Sequence, residues 1–263
     1  MLSVAGLLKG DAMIADKTGQ IVWHDLFTDD ACLSKSFYKR VAGWHYVTEH
    51  ATDFAWGGGE KDFILALSGD EAGTGFVEHH DRQATGWIPY VEVLDVDATA
   101  VLAQDFGGTV EKAAFEVPGV GRNCLLRDPL GALVGICLSR HTFPRPTKQF
   151  GTERYITQSK EFPARFYKEL FAWSVLRSNK RGIETQSIIL ADAQIGSCVT
   201  IELHSDTQAL WVPGIRVKCL SRALQKVESL RGSIISSDRF GSNEDYGATV
   251  SDPNGAHSYL VME

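Results

Sequence analysis

The sequence lacks the features that mark several classes of protein. Its 263 residues contain no cluster of Lys and Arg, and 26 basic against 33 acidic side chains give a formal net charge of -7. A chain of this charge has no general attraction for phosphate backbones or anionic lipid, so we expect neither nucleic acid nor a membrane among its partners. No run of residues approaches the roughly 18 apolar residues that a membrane-spanning helix needs.

Cysteine is sparse and poorly spaced for a structural framework. The five cysteines are odd in number, widely separated and without a CxxC pair. This usage disfavours both a disulfide scaffold and a zinc knot, and it is typical of a reducing compartment. Residues 1–20 carry no basic leader followed by an apolar stretch, and they are interpreted as an N-terminal tail. We therefore expect a cytoplasmic protein.

The sequence does contain an internal repeat. Seven residues recur with a spacing of 124 and three with a spacing of 129, which implies a five-residue insertion or deletion between the two registers. The first group is Trp87, Pro89, Val93, Gly108, Asp128, Pro129 and Gly131, and the second is Phe37, Tyr38 and Trp44. A repeat of this length indicates a duplication. It predicts two domains, at 21–147 and 148–263, and 44% hydrophobic residues are enough for two cores.

Within each half, apolar runs and turn residues predict two modules of one strand, one helix and three strands. An Asp residue is placed to cap each helix of the first half, at 29–30 and at 95–97. The predicted elements of the first half are a strand at 21–27, a helix at 31–41, strands at 45–54, 62–67 and 74–78, then a strand at 88–94, a helix at 98–106 and strands at 110–117, 123–127 and 133–138.

These modules, with Phe-Tyr late in the first helix, Gly-Trp after it and a late Asp-Pro-x-Gly turn, resemble the vicinal oxygen chelate superfamily. That superfamily contains glyoxalase I, extradiol dioxygenases and bleomycin-resistance proteins, and the chain looks most like the tandem glyoxalase-like proteins of bacteria. The resemblance implies an α+β fold of four βαβββ modules in two tandem domains. In each domain a curled mixed sheet would enclose a cleft, with the helices outside.

The resemblance also implies where a divalent metal would bind. In the superfamily a His or Glu on the first strand and a Glu on a late strand of a module hold the metal. The equivalent positions here are Trp23, Ile88, Gly135 and Tyr259, which offer no such ligands. We therefore expect no metal and no other cofactor. A metal would require a shifted register that brings His24 into the site, because adjacent strand residues point to opposite faces.

One dense group of metal-ligating residues lies elsewhere, at His79-His80-Asp81. It falls in the predicted link between two modules. We interpret it as a solvated linker, with a metal at the module edge as the alternative.

Strand alternation selects the residues that should line the cleft of the first domain. In the first module Trp23, Asp25 and Phe27 should face the cleft, and His24 should fall on the helix side. In the second module Tyr90 and Glu92 should face the cleft. Aromatic walls with two carboxylates suit a small organic ligand that is cationic or bears hydroxyl groups.

In the second copy of the repeat, arginines stand where the first copy has these two acids. Arg154 is equivalent to Asp25, and Arg216 is equivalent to Glu92. If these arginines face a second cleft, that cleft should prefer a carboxylate or a phosphate. Otherwise they are rim residues or partners in ion pairs. Arg122 follows a glycine-rich stretch and is a candidate for a ligand-gating loop, with an ordinary turn as the alternative.

Three functional hypotheses follow. The first is a metal-independent small-molecule-binding protein, comparable to the bleomycin-resistance proteins. The second is an enzyme, a glyoxalase-type lyase or isomerase with either an unusual metal site or a general base, for which Glu92 is the first candidate and Asp25 the second. The third is that the second half is a degenerate structural copy, because Glu153 and Thr157 replace residues that should be apolar. A monomer or a homodimer is expected.

Overall fold

The computed structural model of the chain describes residues 17–51, 59–78, 86–117, 120–140, 145–159, 161–180, 183–201, 208–238 and 247–262. In this part of the chain the predicted order of one strand, one helix and three strands recurs four times. The α+β fold class is therefore confirmed. Among the described residues, no helix is long and apolar enough to cross a membrane.

The first two modules follow the predicted boundaries closely. Module 1 consists of β1 (Ile21–Thr28), α1 (Ala31–Val41), β2 (His45–Ala51), β3 (Lys61–Ser68) and β4 (Glu71–Glu78). Module 2 consists of β5 (Gly86–Glu92), α2 (Val96–Asp105), β6 (Thr109–Val117), β7 (Gly121–Arg127) and β8 (Leu133–Ser139).

The duplicate modules keep the same order. Module 3 consists of β9 (Glu153–Thr157), α3 (Ala164–Phe171), β10 (Ser174–Lys180), β11 (Ile183–Leu190) and β12 (Ala193–Thr200). Module 4 consists of β13 (Ala209–Val212), β14 (Gly214–Val217), α4 (Leu220–Ser229), β15 (Ser233–Asp238), β16 (Gly247–Ser251) and β17 (His257–Met262). Its first strand is split in two at Pro213, which has no N–H to donate to a neighbouring strand.

The helices of the first half begin at the predicted acidic caps. Asp30 accepts a hydrogen bond from the backbone N–H of Leu33 at 2.8 Å, and Asp95 accepts one from Ala98 at 2.9 Å. Each cap satisfies a backbone donor that the first helical turn leaves without a partner. The N-cap residues of the helices in the second half are Pro163 and Cys219, and neither makes a side-chain cap hydrogen bond.

The chain divides into two compact units that do not follow the sequence halves. Unit 1 comprises Met1–Val22, Pro89–Phe143 and Ile156–Leu210, and unit 2 comprises Trp23–Ile88, Pro144–Tyr155 and Trp211–Glu263. Unit 1 thus joins module 2 with most of module 3, and unit 2 joins module 1 with most of module 4. The boundary after residue 147 describes the sequence repeat, and two domains separated there stay a prediction.

In unit 1 the strands of module 2 are ordered β5-β8-β7-β6, with β5 parallel to β8. Tyr167 on α3 lies at the centre of its aromatic core and stacks on Trp173 with ring centroids 5.2 Å apart. The Tyr167 hydroxyl donates a hydrogen bond to Asp128 at 2.8 Å. This Asp begins the Asp-Pro-x-Gly turn and also accepts hydrogen bonds from the backbone N–H groups of Leu130 and Ala132.

Unit 2 repeats this arrangement with the equivalent residues. Its two sheets are ordered β2-β3-β4-β1 and β14-β17-β16-β15. Tyr38 on α1 stacks on Trp44 with ring centroids 5.3 Å apart and accepts a hydrogen bond from the Trp87 indole. Burial raises the pKa of Tyr38 well above its usual value. Asp252 occupies the turn and accepts a hydrogen bond from Ser34 at 2.9 Å.

Candidate functional site

In unit 2 the strands of module 1 have one face on the core and one face turned away from it. Leu26, Ala66 and Phe76 lie in the core together with the α1 residues Phe37 and Tyr38. Because side chains alternate along a strand, their neighbours in sequence lie on the opposite face of the sheet. We call this second face the Trp23 face. Its members include Trp23, Asp25 and Phe27 on β1, Val47 and Glu49 on β2, Phe63 and Leu65 on β3, and Gly75 on β4.

Asp25 is the buried carboxylate of the Trp23 face, whereas Glu49 is exposed. Its Oδ1 accepts a hydrogen bond from the Trp23 indole nitrogen at 2.9 Å, and the residue is 8% exposed. Gly75 is its neighbour on the parallel strand β4, and a Cβ at Gly75 would lie 2.7 Å from Asp25 Oδ1. The glycine therefore provides the space in which the carboxylate and the indole lie.

Apolar side chains share the Trp23 face with this carboxylate, and several are accessible. Trp23, Phe63 and Leu65 are half-buried and Val47 is exposed, whereas Phe27 is buried. The predicted residues Trp23, Asp25 and Phe27 therefore share one face. Phe63, Leu65 and Val47 were missed because nothing in the sequence shows which face of a distant strand lies beside β1.

His24 points away from the Trp23 face, as alternation predicts. Its imidazole lies 4.0 Å from the Phe150 ring, and its Nε2 forms a 3.1 Å hydrogen bond with Glu153 Oε1. Both residues are almost fully buried. They are also 129 residues apart, so they occupy the same position in the two copies of the repeat.

This pair bears on the interpretation of the second half as a degenerate copy. Glu153 has His24 as its partner, and Thr157 donates a hydrogen bond to the Ser159 carbonyl at 2.7 Å. Both polar residues at positions expected to be apolar thus have partners, and a degenerate second half stays a prediction.

In unit 1, Tyr90 and Glu92 are more enclosed than the predicted cleft requires. Glu92 is fully buried, and it accepts hydrogen bonds from the backbone N–H and the hydroxyl of Ser139 at 2.9 and 2.6 Å. The Cys137 thiol lies 3.6 Å from the same carboxylate. Burial raises the pKa of this thiol well above its usual value. This geometry is typical of a structural carboxylate, and a catalytic Glu92 stays a prediction.

Arg122, also in unit 1, is held by acidic neighbours. Its guanidinium donates two hydrogen bonds of 2.7 Å to Asp97 and lies 3.6 Å from Glu116. The hydrogen bonds from Arg122 lower the pKa of the Asp97 carboxyl. These surface ion pairs account for the position of the Arg122 side chain without a ligand. A role of Arg122 in gating stays a prediction.

Arg154 and Arg216, the arginines that replace Asp25 and Glu92 in the repeat, lie on the same side of the module 4 sheet in unit 2. The Arg154 guanidinium carbon lies 3.4 Å from the centroid of the Tyr259 ring. Arg216 is on β14, whose Gly214 is paired with Tyr259 on β17. Gly214 and Arg216 lie two residues apart on one strand, so Arg216 and Tyr259 project to the same side.

The residues at the expected metal-ligand positions do not fit a metal. The Trp23 indole nitrogen donates a hydrogen bond to Asp25. At Gly135 there is no room for a side chain, because a Cβ would overlap the ring of Tyr90. Tyr259 lies against Arg154, a cation that would oppose a nearby metal ion. Among the described residues, no group of three or more His, Cys, Asp or Glu is arranged to hold a metal. His79, His80 and Asp81 lie outside the described residues.

Solved structures resemble this chain in fold. Four βαβββ modules in mixed sheets form the fold that a glyoxalase and ring-cleaving dioxygenases share, at 12–15% sequence identity to this chain. The fold expected from the sequence resemblance is thereby confirmed.

Particular proteins are similar to this chain. The 2,2',3-trihydroxybiphenyl 1,2-dioxygenase of Sphingomonas wittichii strain RW1 superimposes with a TM-score of 0.62 at 12% identity, over 94% of this chain and 91% of its own. CFP32 of Mycobacterium bovis, named as a glyoxylase, is 31% identical over 125 residues, which are 48% of this chain and 46% of that protein.

DauV of Streptomyces sp. strain C5, named as an anthracycline biosynthesis protein, is 30% identical over 142 residues, 53% of this chain and 48% of that protein. The chain thus spans about half the length of the curated relatives it matches. No protein-family model matches it.

Proposed function

We propose that the protein binds a small organic molecule with an apolar, preferably aromatic, body on the Trp23 face of unit 2. The observation that carries the proposal is a set of accessible apolar side chains on the same sheet face as one enclosed carboxylate, Asp25. Apolar surface with a few fixed polar groups is the usual composition of a small-molecule site, and contiguous exposed apolar surface is uncommon without a function.

Asp25 gives this site its selectivity. The Trp23 indole holds Oδ1 in place, so the orientation of the carboxylate is fixed before a ligand arrives. A carboxylate accepts hydrogen bonds, so a ligand with a hydroxyl or amino group is preferred over a matched carboxylic acid. The binding needs no metal, because the positions at which relatives of this fold would hold one carry Trp23 and Tyr259.

The test is a panel of small aromatic compounds of matched size that carry an amine, a hydroxyl or a carboxylate. We expect amines or phenols to raise the melting temperature, by an amount that grows with the ratio of ligand concentration to Kd. Asp25→Asn and Trp23→Ala should abolish the shift. Glu92→Gln, which changes a carboxylate of unit 1, is the matched control and should retain it. A panel without any binder, or equal shifts for Asp25→Asn and wild type, would refute the proposal.

A second candidate function is a glyoxalase-type lyase or isomerase, which the match to a relative named as a glyoxylase favours. Glu92 and Asp25 were the candidate bases, and Asp25 is the more accessible of the two. If the protein is an enzyme with Asp25 as general base, Asp25→Asn should lower kcat by about a hundredfold or more. Glu92→Gln should leave kcat near the wild-type value. The opposite pattern would assign the base to Glu92.

A further inference from the structure

A second face of unit 2 carries a different chemistry. In module 4 the residues Ile215, Ala248 and Leu260 lie in the core with Ala223 and Val227 of α4. The opposite face of the β14-β17-β16-β15 sheet therefore carries the residues that alternate with them. We call it the Arg216 face. It contains Arg216 on β14, Tyr259 on β17, Thr249 on β16 and Ser236 on β15, because Thr249 is paired with both Tyr259 and Ser236.

Two guanidinium groups lie on the Arg216 face. Arg154 is 7% exposed and stacks on Tyr259, which fixes the plane of its guanidinium. Arg216 is half-buried and donates its Nε hydrogen to the Phe150 carbonyl at 3.0 Å. It makes no ion pair with any other residue that the structure describes. Positive charge is thus held, partly desolvated, on a protein that is acidic overall.

Two hydroxyl groups on the same face are available to a ligand. Thr249 Oγ1 and Ser236 Oγ are both buried, and neither has a hydrogen-bond partner among the described residues. Thr249 is 0% exposed. Burying a hydroxyl without a partner costs stability, and few native groups remain in that state unless a ligand, an ion or water completes them.

We infer that the Arg216 face binds the oxyanion of a small molecule, a carboxylate or a phosphate group. Arg216 supplies charge and N–H donors, Arg154 adds positive charge, and Thr249 and Ser236 supply O–H donors. The site uses no residue of the Trp23 face, so it goes beyond the proposed function and each can fail without the other.

The experiment measures the Kd of inorganic phosphate and, separately, of acetate by chemical-shift titration at constant ionic strength. Arg216→Gln removes a charge and a bidentate donor, and we expect the Kd of the bound anion to rise by roughly tenfold or more. Thr249→Val removes one O–H donor to a charged acceptor at constant shape, and we expect a rise of roughly tenfold.

Thr74→Val is the matched control. Thr74 is also 0% exposed with a hydroxyl that lacks a partner, but it is paired with His24 and so lies on the core side of its sheet. Both Thr→Val variants should raise the melting temperature of the ligand-free protein, because each removes a buried unpaired hydroxyl. Only Thr249→Val should also weaken anion binding.

Binding of phosphate alone would assign a phosphate group to the ligand, and binding of acetate would assign a carboxylate. Binding of neither anion overturns the inference, and so does an unchanged Kd in Thr249→Val. If Arg216→Gln fails to fold, the comparison of Thr249→Val with Thr74→Val decides alone, since both variants keep their shape.

Discussion

At the scale of the residue, the hydrogen-bonded pair of His24 and Glu153 is the least expected feature of unit 2. The two residues are equivalent in the repeat and both are buried, with the His24 ring against Phe150. His24 Nδ1 and Glu153 Oε2 have no hydrogen-bond partner among the described residues. Burying such a pair takes both groups out of water. The desolvation free energy offsets much of the Coulomb attraction between them.

Removing one member of this pair should therefore cost more than removing both. Glu153→Ala leaves His24 buried alone and should lower the free energy of unfolding by about 3–5 kcal/mol. The double variant His24→Phe with Glu153→Leu should recover most of that loss, because apolar side chains of similar volume need no partner. Urea denaturation of the three proteins at pH 7 measures both effects. Equal losses in the single and double variants would contradict the prediction.

Asp252 should make stability depend on pH. Burial raises the pKa of its carboxyl, although hydrogen bonds from Ala256, Ser34 and Asn254 act in the opposite direction. The folded protein therefore holds this proton more tightly than the unfolded chain does. The stabilising contribution is present below the unfolded pKa of about 4, and it is lost as the pH rises through the folded pKa.

The matched variant Asp252→Asn keeps the shape of the side chain but does not titrate. We expect the free energy of unfolding of wild type, relative to Asp252→Asn, to fall as the pH rises from about 4 to about 7. Urea denaturation of both proteins across this range tests it, and the other titrating groups cancel in the difference. A difference that is flat or rises with pH would show the sign to be wrong.

At the scale of the element, the structure explains why the Asp-Pro-x-Gly turn is the strongest part of the repeat. The Asp binds two backbone N–H groups of its own turn and a side chain of a helix. In unit 1 that helix residue is Tyr167, and in unit 2 the equivalent turn binds Ser34. One side chain thus joins a strand turn to a helix of another module.

Tyr167→Phe tests this connection. It removes a buried hydrogen bond to the Asp128 carboxylate, and we expect a loss of about 1–3 kcal/mol in the free energy of unfolding. Tyr46→Phe is the control, because its hydroxyl donates to a neutral backbone carbonyl, that of Lys35 at 3.0 Å, and not to a carboxylate. A smaller loss in Tyr167→Phe than in Tyr46→Phe would contradict the importance of the turn. Chemical denaturation gives both values.

The elements themselves were predictable because their signals are local. Asp30 and Asp95 cap the helices that they were expected to begin, and the three-strand runs after each helix agree with the structure within a few residues. The split of the first strand of module 4 was not predicted. Pro213 marks the break, but strand pairing across the break depends on tertiary contacts.

At the scale of the whole molecule, the compact units and the sequence halves differ. Each unit takes segments from both sides of residue 147. Fragments 1–147 and 148–263 would therefore each hold only parts of two cores. An incomplete core buries too little apolar surface to offset the loss of chain entropy.

We expect each fragment to be largely unfolded alone and native structure to return when the two are mixed. Circular dichroism and NMR of the separate and mixed fragments measure this, and equal concentrations of one fragment alone are the control. Two fragments that each fold alone would instead support the predicted sequential domains.

The sequence by itself determined the repeat, the order of the elements and the faces of the strands, because alternation and capping depend on neighbours along the chain. It therefore placed Asp25 and Trp23 on one face and His24 on the other. Only the tertiary structure decided that Glu153 is the partner of His24, that Ser139 binds Glu92, and that two unpaired hydroxyls lie on the same sheet face as Arg216. These facts depend on which strands pack together, and side chains far apart in sequence acquire partners only when the chain is folded.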